Sequence, residues 1–511
     1  MENQSVINAG FIDVMRGSMY KLSRQLIKYN VQPVMWMGYS GGKTKLARND
    51  YPNCEFYDYW RFNKGASFLF EDEIKIGRIP RYKRAEFLEL KEKVIKMMDR
   101  QDDHGAFRYQ EREALFYSLF SFFYSKVIQK KLDFIISAHS PHLPATMAFY
   151  GACQIAGIET LHFRESAVVP LSYLSRGFGS EWLKTSQTGV EKKRCKELLN
   201  SYIDSFGEGN YADIEPDYMK AQKKSNEIFL QENVSIERRV SQELWESVDA
   251  SKVPDKKISY RVTAADFLSE TPSVSIDNFR DGLEYKAALR ELQHDLYNNA
   301  LVSGLPEGRY VYFPLHYEPE KTSNPDGGAY YNIYDALLYL RSYVPPDINI
   351  IVKEHYTQLS KKYRGVFGRS HYFYRYIQSL ANVYLVPDNV DPVKLIKNAE
   401  LTCSQTGTSC LEAACLGKKS LMLGSNWFDV VPNIFSAEDD LSYQEIMEAD
   451  IADVEIIKDS LHDWVDNYSI RGCVTGSFVR LHQNMFKEES LQDFKKTCQD
   501  VVEALKMNSI I

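Results

Sequence analysis

The sequence predicts an α/β fold with two doubly wound parallel sheets. Short apolar runs alternate with helical patterns between residues 309 and 424, which is typical of repeated βαβ units. A less regular alternation of the same kind is present between residues 31 and 163. The chain has 511 residues, of which 44% are hydrophobic, so it is too long for one core and apolar enough for two or three. We therefore expect two main domains.

The first of these, residues 1–175, is expected to be Rossmann-like. Gly157 separates a predicted helix from the strand that follows it, as a glycine does at the end of many helices. In chain order the predicted elements are a helix at 11–29, a strand at 31–38, helices at 84–100 and 109–130, a strand at 132–137, a helix at 144–156 and a strand at 158–163.

Residues 176–300 are charged and helical in pattern, without strand alternation, so we expect a helical insert and linker. Residues 441–511 are predicted to form a helical tail that is able to cross back onto the first domain.

A second Rossmann-like domain is predicted at 301–440. Asp391-Pro392 is a good helix start, and Gly417 is a natural helix stop. The predicted strands are 309–313, 348–353, 382–386, 400–404 and 420–423, and the predicted helices are 330–343, 371–380, 391–398 and 409–416.

Composition excludes several classes of protein. A net charge of −7 argues against nucleic-acid binding, which needs a basic face. The sequence contains no apolar run of about 18 residues and no signal-peptide pattern at its start, so we expect a cytoplasmic protein. The eight cysteines form no CxxC pair, and we interpret Cys403, Cys410 and Cys415 as packing residues.

Charged residues cluster where the predicted strand 348–353 ends. The carboxyl ends of parallel strands open onto the ligand crevice of a doubly wound sheet. Lys353, Glu354 and His355 are therefore candidates for binding a nucleotide phosphate. His355 is suited to donate to a phosphoryl oxygen and to stabilise a departing nucleotide, and Lys353 supplies a point charge. The alternative is a structural cap or ion pair at the strand end.

The loop after strand 400–404 is rich in hydroxyl groups and leads into a helix. Backbone N–H groups at such a position bind anions. Glu412 either contacts a ribose or closes a capping box with Ser409. The loop has no Walker lysine and neither sheet begins with GxGxxG, which disfavours ATP hydrolysis and NAD binding. The candidate nucleotide-binding residues here are Ser404, Gln405, Thr406, Gly407, Thr408 and Glu412.

Three further strand ends contribute candidates for contact with donor or acceptor. His316 and Glu318 follow strand 309–313, although a rigid structural turn explains them equally well. In the first domain, Glu165 is the candidate catalytic carboxylate, because an acceptor hydroxyl needs a base or a nucleophile within reach. His139 and His142 lack a third ligand at metal-binding spacing, so no metal is expected. The donor or acceptor candidates are His316, Glu318, His139, His142 and Arg164.

At these residues the chain resembles the capsular polysaccharide biosynthesis family, which includes transferases of 3-deoxy-D-manno-octulosonic acid (Kdo). The resemblance rests on the segments 313–320 (FPLHYEPE) and 352–355 (VKEH), on 405–408 (QTGT) with Glu412-Ala413, and on the strand pair within 132–166. It covers the C-terminal domain well and the first domain loosely. Tyr356 stands where the family has a proline.

The resemblance implies a GT-B architecture in which two Rossmann-like domains face a cleft. It implies a CMP-activated acidic sugar held mainly by the second domain, with His355 and the loop 404–408 at the phosphate, and an acceptor reaching the cleft from the first domain, with Glu165 as the acidic residue. No cofactor and no metal are expected beyond the donor substrate.

The leading hypothesis is a glycosyltransferase that moves Kdo or a related nonulosonic acid from its CMP donor to a surface-polysaccharide or lipid-linked glycan. Its partners are then a nucleotide-sugar and a glycan, with peripheral association to the inner membrane or to capsule assembly proteins. One alternative is a UDP-sugar transferase or epimerase on the same fold. Another is a non-catalytic glycan-binding subunit of a capsule assembly complex.

Overall fold

The computed structural model describes most of the chain. Most of the predicted helical insert and linker, residues 209–291, lies outside the described residues. The described residues are 6–13, 18–38, 43–63, 74, 76–100, 109–166, 168–185, 190–208, 292–359, 365–370, 372–472, 474 and 494–511.

The first sheet has seven strands in the order β13-β6-β5-β4-β1-β2-β3. The five strands β1 to β5 are parallel, and β6 runs antiparallel to β5. The order 3-2-1-4-5 is that of a Rossmann sheet, which reverses direction between β1 and β4. The strands are β1 Ile7–Asp13, β2 Val31–Gly38, β3 Glu55–Asp58, β4 Phe134–Ser137, β5 Glu159–Glu165, β6 Leu171–Arg176 and β13 Ile470–Arg471.

The second sheet has six strands in the order β12-β11-β10-β7-β8-β9, all of them parallel. Its order is again 3-2-1-4-5-6, so the sheet reverses direction between β7 and β10. The strands are β7 Tyr310–Pro314, β8 Asn349–Lys353, β9 Val383–Val386, β10 Leu401–Ser404, β11 Lys419–Met422 and β12 Ile434–Ser436.

Helices cover both sheets. The fold class is therefore the predicted one, α/β with two mostly parallel Rossmann-like sheets. The helices are Ser18–Leu26, Lys43–Asp50, Tyr59–Asn63, Arg84–Met97, Tyr109–Gln129, Pro144–Ile155, Val190–Glu208, Ile333–Tyr343, Phe373–Ser379, Pro392–Asn398, Ser409–Cys415, Tyr443–Glu448, Val454–Tyr468 and Phe494–Met507, and residues 292–300 are also helical.

Three local predictions in the second domain are confirmed. Asp391 caps its helix by accepting a hydrogen bond from the Val393 amide at 2.9 Å, with Pro392 in the first turn. Gly417 ends the preceding helix with a φ of +66°, a conformation that L side chains rarely adopt. Cys403, Cys410 and Cys415 are buried free thiols, as predicted.

The predicted helix at 11–29 is wrong at its start. Residues Ile7–Asp13 form β1, and the helix begins only at Ser18. Because β1 lies between β2 and β4, it is buried on both faces and lacks the alternation that marks a half-exposed strand. In the sequence, its apolar residues Phe11 and Ile12 continue the helix-like spacing of the apolar residues that follow them. The end of the strand therefore resembles the start of the helix.

The chain returns to the first sheet near its C-terminus. Ile470 and Arg471 pair with β6, and Ser172 donates to the Gly472 carbonyl at 2.7 Å. The helix Phe494–Met507 packs beside the helix Ser18–Leu26. Among the described residues, none of the helices is both long and apolar enough to cross a bilayer.

Candidate functional site at the carboxyl edge of the second sheet

The site is built where the second sheet reverses its strand order. Strands β7 and β10 are neighbours there, and the connections that leave their carboxyl ends diverge to opposite sides. Doubly wound sheets bind ligands in the crevice that such a divergence opens. His316 follows β7, and the loop 404–408 begins at the end of β10, so the fold brings together two segments that lie 88 residues apart.

His316 is the centre of a hydrogen-bond network with this loop. Its Nε2 lies 3.2 Å from the Ser404 hydroxyl and accepts from the Thr406 amide at 3.3 Å. Ser404 Oγ in turn accepts from the Gly407 amide at 3.0 Å. Because Nε2 accepts, the ring proton of the neutral imidazole belongs on Nδ1. The network fixes both the ring and the turn.

The first half of the loop is buried and its donors are engaged within the protein. The Thr406 hydroxyl donates to the Thr322 carbonyl at 2.7 Å, and Gln405 Nε2 donates to the Tyr330 carbonyl at 2.6 Å. Ser404, Gln405 and Thr406 are all under 5% exposed, whereas Gly407 and Thr408 are half-buried. The part of the loop open to a ligand is therefore its second half.

Gly407 is required by a close contact. A Cβ at this position would lie 2.6 Å from Ser404 Oγ and 3.5 Å from His316 Nε2. Such a separation from Ser404 is shorter than real Cβ contacts allow, so any side chain would displace the His316 network.

Glu412 does not form the predicted capping box. Thr408, not Ser409, is the N-cap of the helix, and the Thr408 hydroxyl donates to Glu412 Oε1 at 2.9 Å. Burial raises the pKa of Glu412, while the hydrogen bond from Thr408 lowers it, with a net rise. The ribose contact proposed for Glu412 stays a prediction.

One ring nitrogen of His355 is bonded within the protein. Its Nδ1 lies 2.8 Å from the Thr357 hydroxyl and accepts from the Thr357 amide at 3.3 Å. The bond from the amide assigns the proton to Nε2, so the half-buried ring is a neutral donor held in one orientation. Tyr356 stacks on the imidazole ring, with ring centroids 4.6 Å apart. Tyr317 lies edge-on to the same ring, with centroids 6.0 Å apart. Lys353 is half-buried at the end of β8.

Glu354 and Glu318 lie in a buried ion cluster. The Arg369 side chain is fully buried between them, 3.0 Å from Glu354 and 3.2 Å from Glu318. Tyr374 donates to Glu354 at 3.0 Å, and Arg369 also donates to the His316 carbonyl at 2.7 Å. Burial opposes the charge on Arg369, but the two carboxylates more than offset it and raise its pKa. The cluster holds both histidine segments in place, because Arg369 bonds the His316 carbonyl and Glu354 directly precedes His355.

In the first sheet, Arg164 and Glu165 point to opposite faces of β5. Arg164 is buried and donates to Ser425, at 3.2 Å to the hydroxyl and 2.7 Å to the carbonyl. Ser425 follows β11 of the other sheet, so Arg164 joins the two sheets. Because side chains alternate along a strand, Glu165 projects from the opposite face and is half-buried. The catalytic role of Glu165 stays a prediction.

His139 and His142 follow β4, with ring centroids 4.8 Å apart. Arg100 donates to the His142 carbonyl at 2.8 Å and to the Asn324 carbonyl at 3.2 Å. The pair therefore also lies where the first lobe, built on the first sheet, meets the second lobe, built on the second sheet. Within the described part of the chain, no three His, Cys, Asp or Glu side chains are grouped to hold a metal ion.

Four histidines near the site are neutral near pH 7. Burial is the main cause, and it lowers the pKa of His316 to about 4 and the pKa of His355 to about 3. Burial likewise lowers the pKa of His142 to about 3 and that of His139 well below its usual value. An anionic ligand placed against these rings would raise their pKa values again.

This set of histidines predicts a loss of stability in acid. In the unfolded chain they bind protons near pH 6.5, but in the folded chain only near pH 4 or below. Their contribution to stability is therefore complete above pH 6.5 and is lost as the pH falls toward 4. At pH 5, one such histidine lowers the free energy of unfolding by up to roughly 2 kcal/mol.

Urea unfolding at pH 7 and pH 5 tests this. The variant His316→Asn should lose less stability between the two pH values than the unmodified protein. The variant His294→Asn, which changes an exposed histidine, should behave like the unmodified protein. Equal losses in all three proteins would contradict the assignment to His316.

Sequence reasoning missed the residues that hold the site together. Arg369, Thr357 and Ser425 each bind a predicted site segment, yet none of them lies in a recognisable motif. Thr357 and Ser425 had a usable signal, as hydroxyl residues shortly after the ends of β8 and β11, whereas Arg369 had none.

Comparison with protein-family models gives no match, and comparison with curated proteins gives none either. Among solved structures, the chain is similar to UDP-GlcNAc 2-epimerase from Neisseria meningitidis bound to UDP-GlcNAc, with 11% identity, 98% of this chain and 100% of that chain covered, and a TM-score of 0.22. It is also similar to Thermosulfurimonas dismutans KpsC, beta Kdo 2,7 transferase, with 8% identity, 89% and 100% coverage and a TM-score of 0.28.

A second Thermosulfurimonas dismutans structure, KpsC, beta Kdo 2,4 transferase, shares 10% identity over 65% of this chain and 79% of that chain, with a TM-score of 0.25. Identities and TM-scores of this size carry no argument about activity. The resemblance to the capsular polysaccharide family therefore remains an expectation from the sequence.

Proposed function

We propose that the protein is a glycosyltransferase that moves Kdo or a related nonulosonic acid from a CMP-activated donor to a surface-polysaccharide or lipid-linked glycan. The observation that carries the proposal is the crevice between β7 and β10, where His316 meets the loop 404–408, with His355 at the end of the neighbouring strand β8. Nucleotide-sugar phosphates bind at such divergence points in doubly wound sheets.

In this proposal the donor phosphate lies against His355 and the open half of the loop. His355 donates from Nε2 to a phosphoryl oxygen, and Lys353 and the amides at Gly407 and Thr408 add positive potential. Departure of CMP places negative charge on that phosphate, and fixed donors stabilise the charge where it develops. The Gly407 amide leaves Ser404 Oγ when the ligand binds, since it is bonded there at 3.0 Å.

The acceptor is proposed to approach from the first sheet. Glu165 serves as base or nucleophile toward the acceptor or donor from one face of β5, while Arg164 on the other face and His139 and His142 after β4 are proposed acceptor contacts. Arg164 is bonded to Ser425 at 2.7 Å, so its contact with an acceptor requires the two lobes to separate at that point.

Thermal unfolding with nucleotides tests the donor. A ligand that binds only the native state adds about 2.7 kcal/mol at one hundred times its Kd, which raises the melting temperature by a few degrees. CMP and CDP are expected to give this shift, and UDP is not. The variant His355→Ala should reduce the shift with CMP, whereas His462→Ala, which changes a histidine bonded to Asn200, should retain it.

Two other results would each favour an alternative function. Stabilisation by UDP alone would reject the CMP donor and favour a UDP-sugar transferase or epimerase. Stabilisation by CMP with no transfer from a CMP-sugar to any of a panel of glycan acceptors would favour a non-catalytic subunit of a capsule assembly complex.

A further inference from the structure

A basic and apolar ridge lies on the surface of the first lobe. It comprises residues 76–84, with the sequence IGRIPRYKR, which has four cations and no acidic residue in a chain whose net charge is −7. Three apolar side chains of the ridge are exposed: Tyr82 at 79%, Ile76 at 51% and Ile79 at 36%. Arg78 and Arg81 are exposed between them, and Arg84 is exposed just after Tyr82.

The backbone of the ridge is fixed to the helix 109–129. The Tyr124 hydroxyl donates to the Arg78 carbonyl at 3.0 Å. At Gly77, an added Cβ would lie 3.9 Å from the side chain of Ile128, which is itself an exposed apolar residue. Lys83 pairs with Glu86 at 2.7 Å, just beyond the ridge. The exposed apolar side chains and guanidinium groups of the ridge are therefore attached to a backbone that the helix 109–129 holds in place.

This combination matches the surface of an anionic bilayer. Cations near such a surface are attracted to its lipid phosphates and carboxylates, while isoleucine and tyrosine side chains enter the boundary between headgroups and acyl chains. A tyrosine ring suits that boundary because it has an apolar body and a polar tip. A nucleic acid would match the cations but would leave the isoleucines without partners.

The ridge is joined to the cleft by one helix. The helix Arg84–Met97 starts at the ridge, and its other end reaches the second lobe, where Lys96 lies 3.9 Å from Glu318 and Asn324 donates to the Lys93 carbonyl at 3.1 Å. The twelve helical steps from Arg84 to Lys96 span about 18 Å. If the ridge lies on a bilayer, a lipid-linked substrate anchored in that bilayer is thus close enough to enter the cleft.

We propose that the ridge 76–84, together with Ile128, docks the protein on an anionic membrane surface. The docking itself does not depend on the activity proposed above. Its link to a lipid-linked acceptor rests on that proposed function.

Co-sedimentation with vesicles tests the docking. The full chain is mixed with vesicles of phosphatidylcholine alone or with 30 mol% phosphatidylglycerol, a composition chosen for roughly physiological anionic content. Binding is expected only with the anionic vesicles and should fall in high salt. The double variant Arg78→Glu, Arg81→Glu should weaken binding at least twentyfold, since each lost cation contributes roughly fivefold.

A second double variant, Ile79→Ser with Tyr82→Ser, should weaken binding about tenfold through loss of apolar contact. The matched control, Lys193→Glu with Leu338→Ser, changes an exposed cation and an exposed apolar residue elsewhere and should bind as the unmodified protein does. All variants alter exposed side chains, and unchanged melting temperatures would verify that they fold.

Three results would overturn the proposal: no binding to anionic vesicles, equal binding to neutral vesicles, or a dimer in gel filtration that the ridge variants abolish. The last would make the ridge an interface between two copies of the chain. Vesicle binding uses no nucleotide, so a failure of CMP to stabilise the protein would leave this test unaffected.

Discussion

Replacing His355 with alanine is expected to lower the rate of sugar transfer from a CMP donor by two to three orders of magnitude. The expected loss follows from removing one oriented donor at a developing negative charge, which typically costs about 10²- to 10³-fold in turnover. The Thr357 amide and hydroxyl hold the ring in the orientation that leaves Nε2 as the donor. The rate is measured at saturating donor and acceptor, so that turnover and not affinity is compared.

Two further variants separate hydrogen bonding from packing. His355→Gln places an amide N–H near the former Nε2 and should recover part of the rate, whereas His355→Asn places its amide near Nδ1 and should not. His462→Ala controls for loss of an imidazole elsewhere. Near-normal turnover in His355→Ala would refute the role given to this residue.

Replacing Arg369 with alanine is expected to cost about 3–5 kcal/mol of unfolding free energy. The substitution would leave the carboxylates of Glu354 and Glu318 buried without their shared cation. It would also remove the bond to the His316 carbonyl, so both candidate histidine segments should lose support. Chemical unfolding at pH 7 measures the change.

Arg309 provides a matched control. It too lies between two carboxylates, Asp347 at 3.0 Å and Glu400 at 3.4 Å, but its side chain is 59% exposed. Solvent screens exposed pairs, so Arg309→Ala should cost no more than about 1 kcal/mol. If the two substitutions proved equally mild, the buried cluster would have no special structural importance.

The second sheet could be predicted closely from the sequence. All five predicted strands of this sheet occur, with ends shifted by one residue at most, because buried parallel strands are short apolar runs between strong turn and cap signals. Gly417 and Asp391 marked helix ends for local reasons that do not depend on the rest of the fold.

The first sheet was harder to predict for physical reasons. Strand β1 was merged with the following helix because a strand buried on both faces has no alternation. Strands β3, β6 and β13 were not predicted, and neither was β12 of the second sheet. β6 runs antiparallel to β5 after a turn of only a few residues, a departure from the βαβ pattern on which the prediction was based.

Within the site, the sequence located the strand ends but not the partners of each side chain. The convergence of His316 and the loop 404–408 follows from strand order, which the alternation of elements suggests. The pairing of Glu354 and Glu318 through Arg369 does not, because Arg369 lies in a segment without a strand or motif. The opposite directions of Arg164 and Glu165 follow from strand alternation alone and were accessible from the start.

The return of the chain to β6 makes the first lobe discontinuous in sequence. A fragment ending at residue 208 would lack Ile470, which pairs with Ser172, and Asp500, whose carboxylate binds Arg471 at 2.8 Å. It would also uncover the apolar face beneath the helix Phe494–Met507, which contributes Val501 and Leu505 to the core of this sheet. Genetic dissection into separate halves should therefore join the segment after residue 469 to the N-terminal piece, for example by circular permutation.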